Sequence, residues 1–559
     1  MNEYRTVIES DQSTVVAQHE HVAEQSTAYQ SEEMLEHAFI RQLQEQKYEY
    51  VSLKTEGDLI VNLRRQLEEL NHVQFNDGEW RRFYESEIAN KNEGIVEKTE
   101  KLQRADTTIS FAFDDGTLHN IRLLDKQHIH NNSLQVINQY EAPNGNYNNR
   151  YDVTILVNGL PMVHVELKRR GVDIKEAFNQ INRYQRDSFW SDSGLFEYVQ
   201  IFVISNGTYT KYYSNTTRNR HINESKTGSS KPGKKTSNSY EFTCWWADAK
   251  NRPITDLMDF TRTFFAKHTI LNILTRYCVF TYDKTLMVMR PYQIVATERI
   301  INQIEIAHNY KYAGTIKAGG YVWHTTGSGK TLTSFKTAQL ACQLDYIDKV
   351  LFVVDRKDLD YQTMREYDRF QKGAANSNTS TAKLTAQLKS NQPDKKLIIT
   401  TIQKLSNFIK QNPGSEVMGK HIVMIFDECH RSQFGDMGQM IRKRFKNYYM
   451  FGFTGTPIFA ANASTAGQPN FKTTEQTFGR RLHTYTIVDA IRDKNVLPFK
   501  FDYVGQARIA DNVDNTPVAG INKESAMLAP KRISAIVQYI RKNFDLKTKR
   551  NVGTYEFNK

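Results

Sequence analysis

One group of residues in this sequence combines charge and spacing in a way that suits catalysis. Asp152 precedes the dipeptide Asn158-Gly159, and Glu166 and Lys168 follow it. Asn-Gly between two apolar runs is a strong β-hairpin signal. Folding about this turn brings Asp152 opposite the stretch that contains Glu166. Side chains two apart on a strand share a face, so the hairpin would gather two carboxylates and an amine at one end.

This arrangement is suited to hydrolysing a phosphate ester. Carboxylates can hold Mg²⁺ and help to activate water, and an amine can stabilise the charge that develops on the phosphate. We therefore expect Asp152 and Glu166 to bind the metal and Lys168 to act with them in catalysis. The alternative is a charged, solvated strand edge. Against it, both charges end the otherwise apolar run Met162 to Leu167.

Two polar residues further along extend this group. Gln180 and Tyr184 are four apart, which places them on one face of a predicted helix. We expect both to take part in the catalytic group, although an ordinary amphipathic helix has the same spacing. Glu32 or Glu36, on an earlier predicted helix, could assist the metal, but a solvated helix face is the favoured interpretation of these two.

A second group is glycine-rich and follows an apolar run: His324-Thr325-Thr326-Gly327-Ser328-Gly329-Lys330-Thr331. Glycines let backbone N–H groups approach phosphates, and a following helix adds a favourable dipole. Thr326, Gly327, Ser328 and Gly329 are therefore expected to cradle a nucleotide. Lys330 can reach its β- and γ-phosphates, and the Thr331 hydroxyl can bind Mg²⁺. His324 stands where the common pattern has its first glycine, and a simple glycine-rich turn is the alternative.

A pair of carboxylates completes this second group. Asp427 and Glu428, in Asp427-Glu428-Cys429-His430, come directly after the apolar run Ile422 to Phe426. A carboxylate at the end of a strand can hold Mg²⁺, and its neighbour can activate the attacking water. We expect Asp427 to bind the metal and Glu428 to be catalytic.

The elements that must position these residues can be read from the hydrophobic pattern. Between Met289 and Pro498, short apolar runs alternate with helical segments, which indicates a parallel sheet flanked by helices and an α/β fold. The region before it is mixed α/β. It starts at Ser31, where Leu35, Phe39 and Leu43 recur at helical spacing. The first 28 residues are polar and predict a mobile arm.

Length and charge restrict the classes of function. With 559 residues the chain should form about three or four domains, because single cores rarely exceed ~250–300 residues. The formal charge of +12 and pI of about 9.1 favour nucleic acid over an acidic membrane surface. No run reaches the ~18 uncharged apolar residues of a membrane span, and no signal peptide opens the chain. Four cysteines without metal-ligand spacing, Cys244, Cys278, Cys342 and Cys429, are typical of reduced thiols in the cytoplasm.

Taken in order, the second half resembles the superfamily-two helicases and translocases. Arg290-Pro291-Tyr292-Gln293 resembles the adenine-reading Q motif, which implies that Gln293 contacts the nucleotide. Val354-Asp355-Arg356 and Thr400-Thr401-Ile402-Gln403 resemble the DNA-facing motifs Ia and Ib. Thr454-Gly455-Thr456-Pro457 resembles motif III, which couples the ATP site to DNA. The resemblance implies a RecA-like P-loop lobe that uses ATP and Mg²⁺.

In the first half, Asp152, Glu166-Leu167-Lys168 and Gln180-x-x-x-Tyr184 resemble the PD-(D/E)xK nucleases with the extension of RecB-like enzymes. Such a nuclease followed by such a motor is similar to the restriction (R) subunit of type I restriction-modification enzymes. The family implies ATP-dependent translocation and Mg²⁺-dependent cleavage of unmodified double-stranded DNA remote from the recognition site. It also implies methyltransferase and specificity subunits as partners, with S-adenosylmethionine bound by those partners.

The resemblance divides the chain as follows: a mobile arm at 1–30, the nuclease at 31–250, a connecting helical segment at 251–288, the first RecA-like lobe at 289–500, and a linker with the start of a second lobe at 501–559. A motor of this type needs a complete second lobe, so we expect a truncated chain. A stand-alone repair nuclease-helicase and an idle DNA-binding remnant are the alternative functions.

Overall fold

The computed structural model describes residues 4–7, 12–21, 30–104, 107–142, 149–189, 193–215, 239–354, 369–370, 380–429, 436–460, 473–496 and 528–548. The chain forms two compact units, Met1–Val496 and Leu497–Lys559. Some residues of the motifs lie outside the described parts, among them Asp355 and Arg356 of the Ia-like segment and His430.

The strands, in chain order, are β1 (Tyr4–Val7), β2 (Gln18–His21), β3 (Glu49–Tyr50), β4 (Thr108–Ala112), β5 (Leu118–Arg122), β6 (Leu134–Ala142), β7 (Asn149–Val157), β8 (Leu160–Leu167), β9 (Ile201–Ser205), β10 (Thr210–Ser214), β11 (Cys244–Ala247), β12 (Pro253–Ile254), β13 (Cys278–Phe280), β14 (Leu286–Val288), β15 (Gly320–His324), β16 (Lys349–Val354), β17 (Leu397–Thr401), β18 (His421–Phe426), β19 (Asn447–Thr454) and β20 (Arg481–Tyr485).

The α-helices are α1 (Glu32–Glu45), α2 (Glu56–Asn71), α3 (Asp77–Phe83), α4 (Ile95–Gln103), α5 (Lys175–Asp187), α6 (Leu257–Phe264), α7 (Lys267–Asn272), α8 (Pro291–Asn309), α9 (Lys330–Ala341), α10 (Thr381–Lys389), α11 (Ile402–Gln411), α12 (Asp436–Arg444), α13 (Thr474–Phe478), α14 (Ile487–Arg492) and α15 (Pro530–Thr548). The last of these belongs to the second compact unit.

The first part of the chain is built on one mixed sheet. Within the described residues its strand order is β12-β11-β10-β9-β8-β7-β6-β3. The predicted hairpin is β7 and β8, which pair antiparallel, and β8 pairs parallel with β9 after the crossover through α5. Every residue of β8 is buried, as expected for a continuous apolar run that is covered on both faces. The helix predicted from Ser31 is α1, and the Ser31 hydroxyl accepts a hydrogen bond from the Met34 N–H.

The second part contains the predicted parallel sheet. Its strand order over the described residues is β17-β16-β18-β19-β15-β20, and each pairing is parallel. Residues of α8 and α9 pack on one face of this sheet, and residues of α10, α11 and α12 pack on the other. The α/β fold is therefore confirmed. The edge strand β20 was not predicted, because Arg481-Leu482-His483-Thr484-Tyr485 shows no apolar run.

The expectation of a mobile N-terminal arm is wrong for the residues that can be described there. β1 and β2 pair antiparallel, and Val15 is buried in the first hydrophobic core. The backbone N–H of Thr14 donates to Glu298 Oε1 (3.1 Å), and that of His19 donates to Asp248 Oδ2 (3.2 Å). Polar composition concealed this docking because it includes hydrogen bonds to carboxylates that are distant in the sequence.

The segment that was expected to connect nuclease and motor packs with the first region. Phe265, between α6 and α7, meets Phe39 of α1 with ring centroids 5.5 Å apart, and both side chains belong to the first core. That core also includes Ile294 of α8 and Leu340 of α9. Apolar packing is thus continuous from the mixed sheet into α8 and into α9, the helix that follows the phosphate loop. In the described part of the chain, no helix is both long and apolar enough to cross a membrane.

Candidate active sites

The turn between β7 and β8 forms because its two residues adopt left-handed backbone conformations. Asn158 has a φ of 51° and Gly159 a φ of 80°, which is the requirement of a type I′ hairpin. Gly159 is needed for a second reason, since a Cβ atom there would lie 2.7 Å from Leu63 Cα. The resulting register pairs Val153 with Val165 and brings the ends of the two strands together.

The three residues predicted from this hairpin do meet. Asp152 Oδ2 accepts a hydrogen bond from the Leu167 N–H at 2.9 Å. Lys168 Nζ donates to Glu166 Oε1 at 3.2 Å and to the Leu167 carbonyl at 2.8 Å. Two carboxyl groups and an amine therefore share one end of the hairpin, as the hairpin signal and the period of two predicted.

Burial controls the charge of the two carboxyl groups. Glu166 has an exposed fraction of 0%, and this burial raises its pKa to about 7, although the neighbouring Lys168 acts in the opposite direction. Burial, and then the charge of Glu166, also raise the pKa of Asp152. Both shifts favour the protonated form of these carboxyl groups when no cation is bound.

The donor set fits a hard divalent cation. Glu166 Oε2 is buried and has no hydrogen-bond partner among the described residues, so a strong acceptor is available for a ligand. No group of three or more potential metal-ligating side chains occurs in the described parts of the chain. Mg²⁺ is commonly held by one or two carboxylates and completes its shell with water and substrate phosphate. Asp152 and Glu166 match that requirement.

Sequence reasoning missed His164, which lies two residues before Glu166 on the same face of β8. Its Nε2 is 3.4 Å from Glu166 Oε2, and its Nδ1 is 3.2 Å from Thr154 Oγ1. Burial lowers the pKa of His164 to about 4, so the ring is neutral at pH 7 and the contact is not an ion pair. Polar residues at 164, 166 and 168 in an apolar strand were the signal that could have found it.

The two acidic residues of α1 differ in their surroundings. Glu32 Oε2 lies 4.0 Å from Lys168 Nζ, with its side chain half exposed. Glu36 is buried and accepts a hydrogen bond from Asn138 Nδ2 at 2.5 Å. The expectation that Glu36 lies on a solvated helix face is therefore wrong, since its side chain is buried and bonded to β6. Glu32 faces the amine of Lys168.

Gln180 and Tyr184 share a face of α5, as predicted, and are bonded to each other. Gln180 Nε2 donates to Tyr184 Oη at 2.5 Å, and the Tyr184 hydroxyl donates to the Arg150 carbonyl at 2.9 Å. These bonds fix α5 to β7, two residues before Asp152. The contacts suit a role in orienting the strand that carries a metal ligand.

The glycine-rich segment forms a phosphate-type loop between β15 and α9. Gly327 and Gly329 have φ values of 81° and 76°, a region that glycine enters without steric cost. A Cβ atom on Gly329 would lie 2.7 Å from Gln293 Nε2. Lys330 begins α9, and its Nζ lies 3.3 Å from Glu428 Oε1. Thr331 follows on the first turn of the same helix.

Residues of the Q-like segment hold this loop from the side. The Tyr292 hydroxyl donates to the Ser328 carbonyl at 2.6 Å. Gln293 Nε2 lies 3.3 Å from the Ser328 carbonyl and 3.2 Å from that of Gly329. A cavity of about 520 Å³ opens beside them, with Leu332 from the motor side and Phe242 from the first region in its wall. Of the predicted nucleotide residues, Gln293, Gly327, Ser328 and Gly329 thus line a ligand-sized space.

The carboxylates after β18 complete the second site. Asp427 Oδ1 accepts a hydrogen bond from the Glu428 N–H at 3.0 Å. Glu428 has a φ of 43°, an uncommon conformation for a non-glycine residue that occurs preferentially at functional sites. The segment that resembles motif III is also close, since Trp323 Nε1 donates to the Gly455 carbonyl at 3.1 Å. The carboxylates, the lysine and the loop are therefore brought together.

Comparison with known proteins agrees with both halves. A family model described as the type I restriction enzyme R protein N terminus matches residues 29–221, and one described as the SWI2/SNF2 ATPase matches residues 292–527. The chain is similar to the type I restriction enzyme SsaAORF53P endonuclease subunit of Staphylococcus saprophyticus. They are 40% identical over 536 residues, which cover 93% of this chain and 52% of the relative.

The type I restriction enzyme EcoprrI endonuclease subunit of Escherichia coli is 50% identical over 279 residues, which cover 50% of this chain and 83% of that protein. A solved structure of a nuclease-deletion mutant of the type ISP enzyme LlaGI, in complex with a DNA substrate mimic, is 18% identical. Its TM-score is 0.27, with 47% of this chain and 24% of that chain covered. The chain spans about half the length of the Staphylococcus relatives that it matches.

Proposed function

Since the chain belongs to the endonuclease subunits of type I restriction enzymes, we propose that it is the restriction subunit of such a complex, which consumes ATP to move DNA and cuts unmodified double-stranded DNA remote from the recognition site. The observation that carries the proposal is the meeting of Asp152, Glu166 and Lys168 at one end of a buried hairpin. The same compact unit also carries the phosphate loop.

For cleavage, Asp152 and Glu166 would hold Mg²⁺, which supplies an activated water and neutralises phosphate charge. Lys168 is anchored by the Leu167 carbonyl, and its ammonium would stabilise the negative charge that develops on the phosphate. Burial around Glu166 excludes bulk water and strengthens these interactions. Gln180 and Tyr184 orient β7 through the Arg150 carbonyl.

For ATP hydrolysis, the backbone of Thr326 to Gly329 would surround the phosphates, and Gln293 would contact the nucleotide. Lys330 exchanges its contact with Glu428 for the β- and γ-phosphates, which frees Glu428 to accept a proton from the attacking water. Thr331 and Asp427 would hold the Mg²⁺ that accompanies ATP. This assignment gives each predicted residue of the second group a role.

The partners follow from the type of complex. Double-stranded DNA is the substrate, and the net charge of +12 favours binding to its phosphates. Methyltransferase and specificity subunits would read the recognition sequence and bind S-adenosylmethionine. We place the complex in the cytoplasm, where it would meet incoming DNA.

Reconstitution tests this function. The chain should co-purify with the methyltransferase and specificity subunits of its host, and the complex should linearise a circular DNA with one unmodified site only when Mg²⁺ and ATP are present. The same DNA methylated at the site is the control. Cleavage by the chain without those subunits, at the same rate on both DNAs, would instead indicate a stand-alone repair nuclease. Salt-sensitive DNA binding without cleavage would indicate an idle remnant.

A further inference from the structure

His324 takes the place of the first glycine of the phosphate-loop pattern, and its side chain is fully buried. It is the last residue of β15, so the loop starts directly from it. The next residue, Thr325, donates its backbone N–H to the Tyr485 carbonyl of β20 at 2.9 Å. The proposed roles in ATP hydrolysis use the loop but not this imidazole.

The imidazole of His324 is hydrogen-bonded to a second buried imidazole. Its Nε2 lies 2.9 Å from Nδ1 of His483, which is on the neighbouring strand β20. The backbone of Ala249, in the loop after β11, acts to raise the pKa of His483, but burial of the ring outweighs this effect.

The bond between the two rings requires a proton on one of the facing nitrogens and a lone pair on the other. Burial lowers the pKa of His483 to about 3 and that of His324 well below its ordinary value. Both rings are therefore neutral at pH 7, and each neutral imidazole can supply one donor and one acceptor nitrogen.

Aromatic packing connects His324 to the loop through Tyr292. The His324 ring and that of Tyr292 form a T-shaped pair with centroids 5.4 Å apart at an angle of 79°. Tyr292 stacks on Tyr485 at 3.7 Å and donates its hydroxyl to the Ser328 carbonyl. A displacement of His324 would disturb Tyr292, and with it the carbonyl that fixes the middle of the phosphate loop.

The loop after β11, which is bonded to the same strand as His483, is held on two sides. The Ala249 N–H donates to the Val16 carbonyl at 2.9 Å. Next to it, Asn251 Nδ2 donates to the Thr484 carbonyl at 2.8 Å, and Arg492 Nη2 donates to the Asn251 carbonyl at 2.5 Å. The loop after β11 is thus a fixed support, attached both to the N-terminal segment and to the motor sheet.

We propose that His324 and His483 form a hydrogen-bonded relay that positions the phosphate loop against strand β20. They are positioning residues for ATP and do not touch it. Histidine at position 324 thus supplies a side-chain hydrogen bond that a glycine at this position would lack. The relay rests on the proposed function of the loop as an ATP site.

The test uses the full chain, and the probe is ATP labelled with a fluorescent methylanthraniloyl group on the ribose, with Mg²⁺. His483→Leu removes the bond to His324 and should weaken binding about tenfold or more. His483→Gln should recover most of the affinity, because its amide group can both donate and accept and can therefore pair with the His324 ring. His324→Leu and His324→Gln form the matching pair at the other ring. Thermal unfolding of each variant is followed in parallel.

The outcomes separate the relay from the proposed function. A wild-type chain that does not bind the probe, or binding that survives Lys330→Ala, contradicts the ATP site and the relay with it. Wild-type affinity in His483→Leu contradicts the relay alone, and so does an equal loss in His483→Leu and His483→Gln. A purely structural role would lower the unfolding temperature of the leucine variants and leave their affinity for the probe unchanged.

Discussion

At the scale of single residues, Glu428 gives a sharp test of the motor. Replacing it with glutamine keeps the shape and leaves Asp427 in place but removes the base that accepts a proton from water. We expect Glu428→Gln to lower ATP turnover by about 10²–10⁴-fold with nucleotide affinity changed less than about threefold. Phosphate release and nucleotide titration on the assembled complex measure both. Lost affinity with unchanged turnover would make Glu428 a binding residue.

Tyr184 separates orientation from catalysis in the nuclease. Tyr184→Phe keeps the ring, which packs against Tyr151 at 4.9 Å, and removes only the hydroxyl, which accepts from Gln180 and donates to the Arg150 carbonyl. The two lost bonds are worth about 1 kcal/mol each, so DNA cleavage should fall by less than about thirtyfold. Asp152→Ala is the control that should lose cleavage altogether. A Tyr184→Phe variant as inactive as that control would place the hydroxyl in the chemistry.

Glu166 links stability to pH in the metal-free protein. Its folded pKa of about 7 lies above the ordinary 4.5, so between these values the folded state holds more protons than the unfolded state. Stability is therefore lost as pH rises from about 4.5 to about 7. Glu166→Gln has no such proton to lose, and at pH 8 in EDTA it should be roughly 1–3 kcal/mol more stable than wild type.

Urea unfolding of both proteins at pH 5 and pH 8 measures this difference. Asp152 contributes in the same direction, because its pKa is raised by burial and then by the charge of Glu166, which the variant lacks. The difference in the free energy of unfolding between Glu166→Gln and wild type should be large at pH 8 and small at pH 5. A gap that does not change with pH would show that Glu166 is already ionised at pH 5 in the folded protein.

At the scale of elements, the hairpin turn determines whether Asp152 and Glu166 meet. Gly159→Ala would force a Cβ atom against Leu63 Cα in addition to straining a φ of 80°. Gly116, in the turn between β4 and β5, has a similar φ of 81°, and a Cβ atom there would meet nothing within 4 Å. Gly116→Ala therefore measures the cost of the backbone strain alone, about 1 kcal/mol. We expect Gly159→Ala to lose clearly more stability than Gly116→Ala, as measured by urea unfolding. Equal losses of stability would show that the close approach to Leu63 does not add to the cost of Gly159→Ala.

The elements that sequence predicted well were those with strong local signals. Asn158-Gly159 fixed the hairpin, and the glycine-rich loop and Asp427-Glu428 marked the ends of strands β15 and β18. What could not be predicted depends on distant partners. Burial of Glu36 requires Asn138, and the edge strand β20 is held by pairing with β15. His164 was overlooked because a lone histidine in an apolar strand is commonly a core residue.

At the scale of the whole molecule, the two sites belong to one compact unit, Met1–Val496. The first core continues from the mixed sheet to Leu340 of α9, the helix that begins with Lys330. A boundary near residue 250, as the sequence suggested, remains a prediction about function: the two activities should separate even though the packing is continuous.

The most direct test of the account is a paired measurement on the assembled complex, which follows linearisation of a circular DNA with one unmodified site and phosphate release in the same reaction. Asp152→Ala, Glu166→Ala and Lys168→Ala should each lose cleavage by orders of magnitude and keep releasing phosphate, whereas Lys330→Ala should lose phosphate release, and cleavage with it. If the three hairpin variants still cut the DNA, the hairpin is only a charged edge. If they lose phosphate release as well, ATP hydrolysis and DNA cleavage are not independent activities.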